Sequence, residues 1–199
     1  MKHIIDLLQI DHRNMRQLLR VLEEEIDIYS AAGVADFDLM RQIIDYTLHY
    51  PDLIHHPRED LLFRRLLARN PASRPLIGDL AGEHDQLAQL MQRFAAALHN
   101  VARNVELPRD WFDNLARGYI ATLRQHMATE ERTLFPRVMA VFEGNDWAEL
   151  DAFAMAGYDP LFGSSIEKHY LDLHGRILQI READTYSDRK ALDGCKGKS

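Results

Sequence analysis

The sequence predicts an all-α protein: an antiparallel up-down four-helix bundle followed by one or two extra C-terminal helices. Three observations carry this expectation. Apolar residues recur at alternating spacings of three and four along four successive long stretches, the pattern of helices that turn one stripe toward a shared core. Turn and capping residues, Gly33 with Asp36, Asn70 with Pro71, Pro108 and Gly144, separate those stretches. Finally, two related motifs, HHPREDLLF from His55 to Phe63 and HMATEERTLF from His126 to Phe135, each set a histidine four residues before a glutamate. On a helix, residues four apart share one face, so each motif aims an imidazole and a carboxylate at one point.

Composition sets the outer limits. A chain of 199 residues, 46% hydrophobic and 28% charged, fits one domain, or one domain with an appendage. A net charge of −7 opposes a role in gripping nucleic acid or an anionic membrane. No apolar run approaches the roughly 20 residues of a membrane span. The opening MKHIIDLLQIDH is broken by charge within a few residues and has no small-residue cleavage site, so no signal peptide is read. One cysteine, Cys195, can form neither an internal disulfide nor a thiolate zinc site. The expected location is cytoplasmic.

The first predicted helix carries Ile5, Leu8, His12, Met15, Leu19, Leu22 and Ile26 on one stripe and stops near Gly33, with Asp36 as the next N-cap. The second, roughly Phe37 to Arg69, places Met40, Ile44, Leu48, His55, Glu59, Leu62 and Leu66 inward. Pro51 and Pro57 each remove a backbone donor there, which predicts a kink between Tyr50 and Pro57. Asn70 and Pro71 end this helix, and Ser73 with Pro75 opens the third, whose stripe is Leu80, His84, Leu87, Met91, Phe94, Leu98 and Val101. Pro108 starts the fourth, with Phe112, Leu115, Tyr119, Thr122, His126, Glu130, Val138 and Val141 facing inward and Gly144 as its end. The bundle is thus assigned to residues 1–143. A helical appendage, 144–183, follows, with a helix from Trp147 to Met155, a turn-rich GYDPLFG stretch and a last helix from about Ser165, where Ser164 and Glu167 read as a capping box. It is expected to pack on the bundle or on a second subunit, a homodimer being the oligomer in view. A polar tail, 184–199, closes the chain.

The chain also repeats itself. His12 and His84 are 72 residues apart, while His55 and His126, like Glu59 and Glu130, are 71 apart. Two copies of one plan, a histidine and then HxxxE, give four histidines and two glutamates on four inward stripes. A lone histidine on an apolar stripe is more often a hydrogen-bonded core residue than a ligand. A buried carboxylate is harder to explain away, because an ionised group without a partner is costly in a core. Imidazole with carboxylate and no thiolate suits iron or manganese, with zinc also admitted, and two carboxylates able to bridge point to two ions.

From DHRNM at His12 to EERTLFP ending at Pro136, the residues resemble the hemerythrin-like (HHE cation-binding) proteins. The resemblance implies an antiparallel four-helix bundle around a non-haem diiron centre, two iron ions with an oxo or hydroxo bridge. It further implies His12, His55, His84 and His126 as terminal ligands and Glu59 and Glu130 as bridging carboxylates. Manganese or a mixed iron–manganese pair would suit the same donors. The oxygen carriers of this family have a fifth histidine one turn after the third, where this chain has Ala88; their last carboxylate is an aspartate five after its histidine, a position held here by Glu131. The four-histidine, two-glutamate set leaves coordination open and favours reaction with small molecules over dedicated oxygen carriage, like the branch linked to iron sensing, nitric oxide response and repair of iron centres.

His56, three before Glu59, is a rival to His55 if the register shifts at Pro57. His49, with Tyr46 and Tyr50, is read either as an access or supporting group or as ordinary half-buried residues; His3, His99, His169 and His174 lie off the motif. No phosphate-cradling, dinucleotide-binding or nucleophile-elbow motif is present, and the order histidine-then-glutamate is the reverse of the ferritin-like pattern. Three functions follow: a diiron protein that binds or senses O2, NO or a related small molecule; an enzyme reducing NO or peroxide or repairing iron centres; and a partner-binding helical protein with a structural metal.

Overall fold

The computed structural model describes residues 3–154, 159–180 and 182. The polar tail at 184–199, with Cys195, lies outside the described residues. All regular elements among the described residues are helical. Four long antiparallel helices form the bundle. The first is α1 (His3–Ala32). The second runs as α2 (Phe37–Tyr50), a π-helical turn (Pro51–His55) and α3 (His56–Arg69). The third is α4 (Arg74–Ala102), and the fourth runs as α5 (Arg109–Thr129), a second π turn (Glu130–Leu134) and α6 (Phe135–Val141).

The sequence explains where these helices start and stop. Gly33 closes α1 with φ +73°, a conformation natural to glycine, and its amide donates to the Tyr29 carbonyl. Asp36 caps α2 by accepting from the Leu39 amide. Asn70 leaves helical geometry, and a short 3-10 turn (Pro71–Ser73) leads into α4. Pro108 stands before α5, where its missing N–H costs nothing. Gly144 does not end the fourth helix, as expected, but begins a new one. The fourth helix has already stopped at Val141, because Phe142 turns extended and the Glu143 amide is taken up by Asp146.

The kink expected between Tyr50 and Pro57 is a single wide turn. In it the His56 amide donates to Pro51, five residues back, instead of four. An ordinary turn would press the Pro57 ring against the carbonyl four residues before it, and the extra residue removes that clash. The fourth helix makes the same adjustment ahead of Pro136: the Phe135 amide donates to the Glu130 carbonyl. That second wide turn was not expected.

Most of the predicted inward stripes are buried, with Leu48, Thr122 and Val141 half-buried at their edges. Leu8, Leu19, Leu22, Ile26, Met40, Leu62, Leu66, Leu80, Phe94, Phe112 and Val138 are each at most 1% exposed. Around the His12 end of the bundle, Ile4, Ile5, Leu8, Leu62, Phe63, Leu134 and Phe135 pack into one cluster with Phe142 and Leu150. Leu150 comes from α7 (Gly144–Ala154), which packs on α1 and α3. Its Asp146 is buried and accepts from Arg65, Arg69 and the Glu143 amide.

The chain divides into two compact units, Met1–Tyr158 and Asp159–Ser199. The helix Gly144–Ala154, read in sequence as the start of the appendage, belongs to the first. In the second, helix does not begin at Ser165: a 3-10 turn (Lys168–Tyr170) precedes α8, residues 171–180. Asp159 organises the approach, accepting from the Leu161 and Phe162 amides, and the Glu167 amide donates to Pro160 rather than entering a capping box with Ser164. No helix among the described residues is long and apolar enough to cross a membrane.

Candidate metal centre

Six side chains from the four bundle helices converge beside the two wide turns. His12 comes from α1, His55 from the last position of the first π turn, Glu59 from α3, His84 from α4, His126 from α5 and Glu130 from the first position of the second π turn. Both HxxxE pairs close as one-turn neighbours: His55 Nε2 lies 3.1 Å from Glu59 Oε1, and His126 Nε2 lies 3.4 Å from Glu130 Oε1. Each glutamate also reaches a histidine of the other half of the chain. Glu130 Oε2 is 3.1 Å from His12 Nε2, and Glu59 Oε2 is 3.3 Å from His84 Nε2.

The ligand atoms fall into two groups, each within 4.8 Å: His12, His55, Glu59 and Glu130; and His84, His126, Glu59 and Glu130. Two ligands on opposite sides of one cation, with bonds near 2.1 Å, stand about 4.2 Å apart. Both groups therefore have the size of a coordination sphere, and they share their two carboxylates.

Hydrogen bonding leaves this centre unfinished. His12 Nε2 and all four carboxylate oxygens of Glu59 and Glu130 are buried without a hydrogen-bond partner. Glu59 and Glu130 are 0% exposed. Buried oxygens of this kind are costly unless something positive lies between them, and a pair of cations would satisfy all of them at once. The donor set fits the metal that the motifs imply.

Burial and neighbouring charge sort the protons. Burial, with His55 alongside, lowers His12 to about 4, so its ring is neutral with a free lone pair. Burial also opposes charge on His55, but Glu59 and Asp11 outweigh it and raise this histidine to about 10. Glu59 is likewise disfavoured as an anion by burial, yet His55 holds it well below the usual carboxylate range. Burial and the charge of Glu59 push Glu130 well above that range, and burial lowers His126. Without metal, the cluster thus keeps a proton on His55 at neutral pH and disfavours the charged form of Glu130.

The far nitrogens of three histidines meet carboxylates, two of which, Asp11 and Glu83, the sequence reading did not single out. His55 Nδ1 is 3.1 Å from Asp11 Oδ2, His126 Nδ1 is 2.7 Å from Glu83 Oε2, and His12 Nδ1 is 3.0 Å from Glu131 Oε1. A carboxylate can only accept, so each fixes the proton on Nδ1 and turns Nε2 inward. Each supporting acid is the sequence neighbour of one candidate ligand and serves a ligand on another helix. The signal was available: Asp11 and Glu83 are themselves 72 residues apart, so the repeat is Asp/Glu-His rather than His alone.

Both register rivals stand outside the two groups. Glu131 turns to the far side of His12 and to Arg16, while His56 stacks on the His84 ring with centroids 4.1 Å apart. Tyr50 donates to Asp11, as does Arg58, whereas His49 is exposed and bonds the Asp45 carbonyl.

A cavity of about 160 Å³ adjoins the cluster. All four histidines line it, together with Met15, Leu87, Met91, Leu123 and Met127, and Tyr119 is buried in its wall with its hydroxyl on Thr47. Ala88 and Gln92 are exposed where the cavity opens. The position that carries a fifth histidine in oxygen carriers is therefore part of an entrance. The arrangement can hold two cations side by side and admit a small molecule to them through an apolar chamber.

Compared with known proteins, residues 3–138 match the model of the hemerythrin HHE cation binding domain. No curated protein and no solved structure matches the chain.

Proposed function

Since the chain belongs to the hemerythrin HHE cation-binding domain family, we propose that it holds two iron ions between His12, His55, His84 and His126, with Glu59 and Glu130 shared, and that it binds or senses O2, NO or a related small molecule there. One observation carries this reading: two coordination-sized groups share two buried carboxylates, all four oxygens of which lack a hydrogen-bond partner. Bound iron would supply redox change and an open position for a diatomic ligand. The chain's own residues do the rest. The Nε2 atoms of His12, His55 and His126 face inward because their Nδ1 protons are engaged, the carboxylates balance the added charge, and the Met and Leu side chains of the chamber keep it apolar. Ala88 adds no donor, which leaves an approach for a ligand from solution.

The test is elemental analysis of anaerobically purified protein, with an optical spectrum before and after air and azide. About two irons per chain and near-ultraviolet bands that change with azide would support the reading. Protein that takes up neither iron nor manganese on reconstitution would sink it. Turnover of NO or peroxide by the reduced protein would move the assignment from sensing to catalysis.

A further inference from the structure

Exchange of the two halves of the chain maps most of the site's contacts onto one another, but not all of them. Asp11 on His55 corresponds to Glu83 on His126. There the correspondence ends. Asp11 is itself held by Arg58 at 2.9 Å and by the Tyr50 hydroxyl at 3.0 Å. The residue equivalent to Arg58 is Thr129, whose hydroxyl donates to its own helix at Gln125, and Glu83 has no arginine partner among the described residues.

The other two histidines differ more. His12 is 0% exposed, and its Nδ1 rests on Glu131, which Arg16 grips at 2.7 Å. At the repeat spacing, the counterpart of Glu131 is Asp60, which is exposed, and the counterpart of Arg16 is Ala88, at the cavity mouth. His84 therefore has no carboxylate behind it among the described residues. It is 16% exposed and is positioned by stacking on His56.

From this we infer that the two metal positions are unequal: the His12–His55 position fills first and retains its ion, and the His84–His126 position is the one that exchanges with solution. The inference rests on the two-ion reading above. Both rings of the first position are fixed before a cation arrives, each through a carboxylate locked by an arginine. In the second position, one ring has an unlocked carboxylate and the other has none. Outer partners of this kind change metal affinity by roughly 10- to 100-fold, so the first ion should bind at least about tenfold more tightly than the second.

The experiment is anaerobic titration of metal-free protein with Fe(II), followed by calorimetry, with Mn(II) electron paramagnetic resonance at one and two equivalents. Two resolved steps are expected, with an uncoupled Mn(II) signal at one equivalent and a spin-coupled one at two. His84→Ala should abolish the weak step and keep the tight one, and Glu83→Gln should weaken the second step alone. Arg16→Gln changes a side chain that is 39% exposed, so the fold should tolerate it, and it should weaken the first step several-fold. Circular dichroism and the thermal midpoint of each metal-free variant report whether it has folded. Two ions entering in one step with equal affinity, or loss of the tight step in His84→Ala, would overturn the inequality and leave the two-ion reading standing. A metal-free protein that binds no ion would overturn both.

Discussion

The amide of Phe135 donates to the carbonyl of Glu130, five residues back, and so ties a candidate bridging carboxylate to the wide turn that precedes Pro136. The turn and the ligand are one feature. If the proline maintains the turn, Pro136→Ala restores the missing donor and lets an ordinary turn compete. The variant is expected to keep its helicity and to shift global stability by no more than about 1 kcal/mol, while metal affinity falls about tenfold as Glu130 loses its fixed direction. Metal titration beside chemical denaturation checks this, and unchanged affinity would mean that the surrounding core alone sets the turn.

Access should be separable from binding. Ala88 is exposed at the cavity mouth and is not one of the six converging side chains. Ala88→Phe is expected to leave the metal content at the wild-type value while slowing azide association with the oxidised protein by about tenfold or more. Stopped-flow absorbance gives the rate. An unchanged rate would show that ligands enter elsewhere.

Metal uptake should release protons. His55 has its metal-free value raised to about 10, so at pH 7 it carries a proton that a cation must displace, and Glu130 is shifted in the same direction, above the carboxylate range. The sign follows directly: affinity rises with pH from neutral toward 10 and falls in acid. Calorimetry in buffers of different ionisation enthalpy should give apparent binding heats that differ between buffers. Identical heats would contradict the proton assignment.

Asp146 should matter to stability and not to chemistry. Burial alone would raise its pKa, but the Glu143 amide and Arg69 outweigh burial and hold it below the ordinary value. A lowered folded value gives stability that is present above the unfolded pKa, near 3.9, and is lost as pH falls through the folded one. Asp146→Ala is expected to cost about 2 kcal/mol, between the values for an exposed and a broken buried pair because Arg65 and Arg69 are partly exposed. Urea unfolding measures it, and the gap from wild type should narrow near pH 3. Wild-type stability in the variant at pH 7 would remove this anchor from the account of how α7 is held.

Much of this was legible because the signal repeats. His12 and His84 alone are ambiguous, but with two HxxxE pairs at matching offsets the six positions reinforce one another, and the structure brings all six together. The apolar stripes were equally clear, since spacing of three and four over a whole helix survives single exceptions. What escaped notice depends on local geometry. Pro57 stands two residues before Glu59, whereas Pro136 stands six after Glu130, so the second wide turn breaks the repeat that made the ligands visible. The supporting acids escaped because Asp11 acts on His55 and Glu83 on His126, across helices, and sequence adjacency suggests the wrong partner. The start of α8 was misplaced because Asp159 offers its backbone a better set of bonds than Ser164 does.

The exchange of glutamates between halves carries a consequence for how the centre can be assembled. His12 reaches Glu130 while His84 reaches Glu59, so neither half of the chain closes a four-ligand group by itself. A single helical hairpin of this kind would hold only one histidine and one HxxxE pair, and two identical hairpins facing each other across a twofold axis would complete the same centre. The present chain has the contact pattern of such a pair on a single polypeptide, with Glu59 and Glu130 exchanged between its halves. Two halves on one chain, unlike two identical hairpins, need not match, and Arg16 against Ala88 is a place where they do not: one half seals its histidine and the other opens a door.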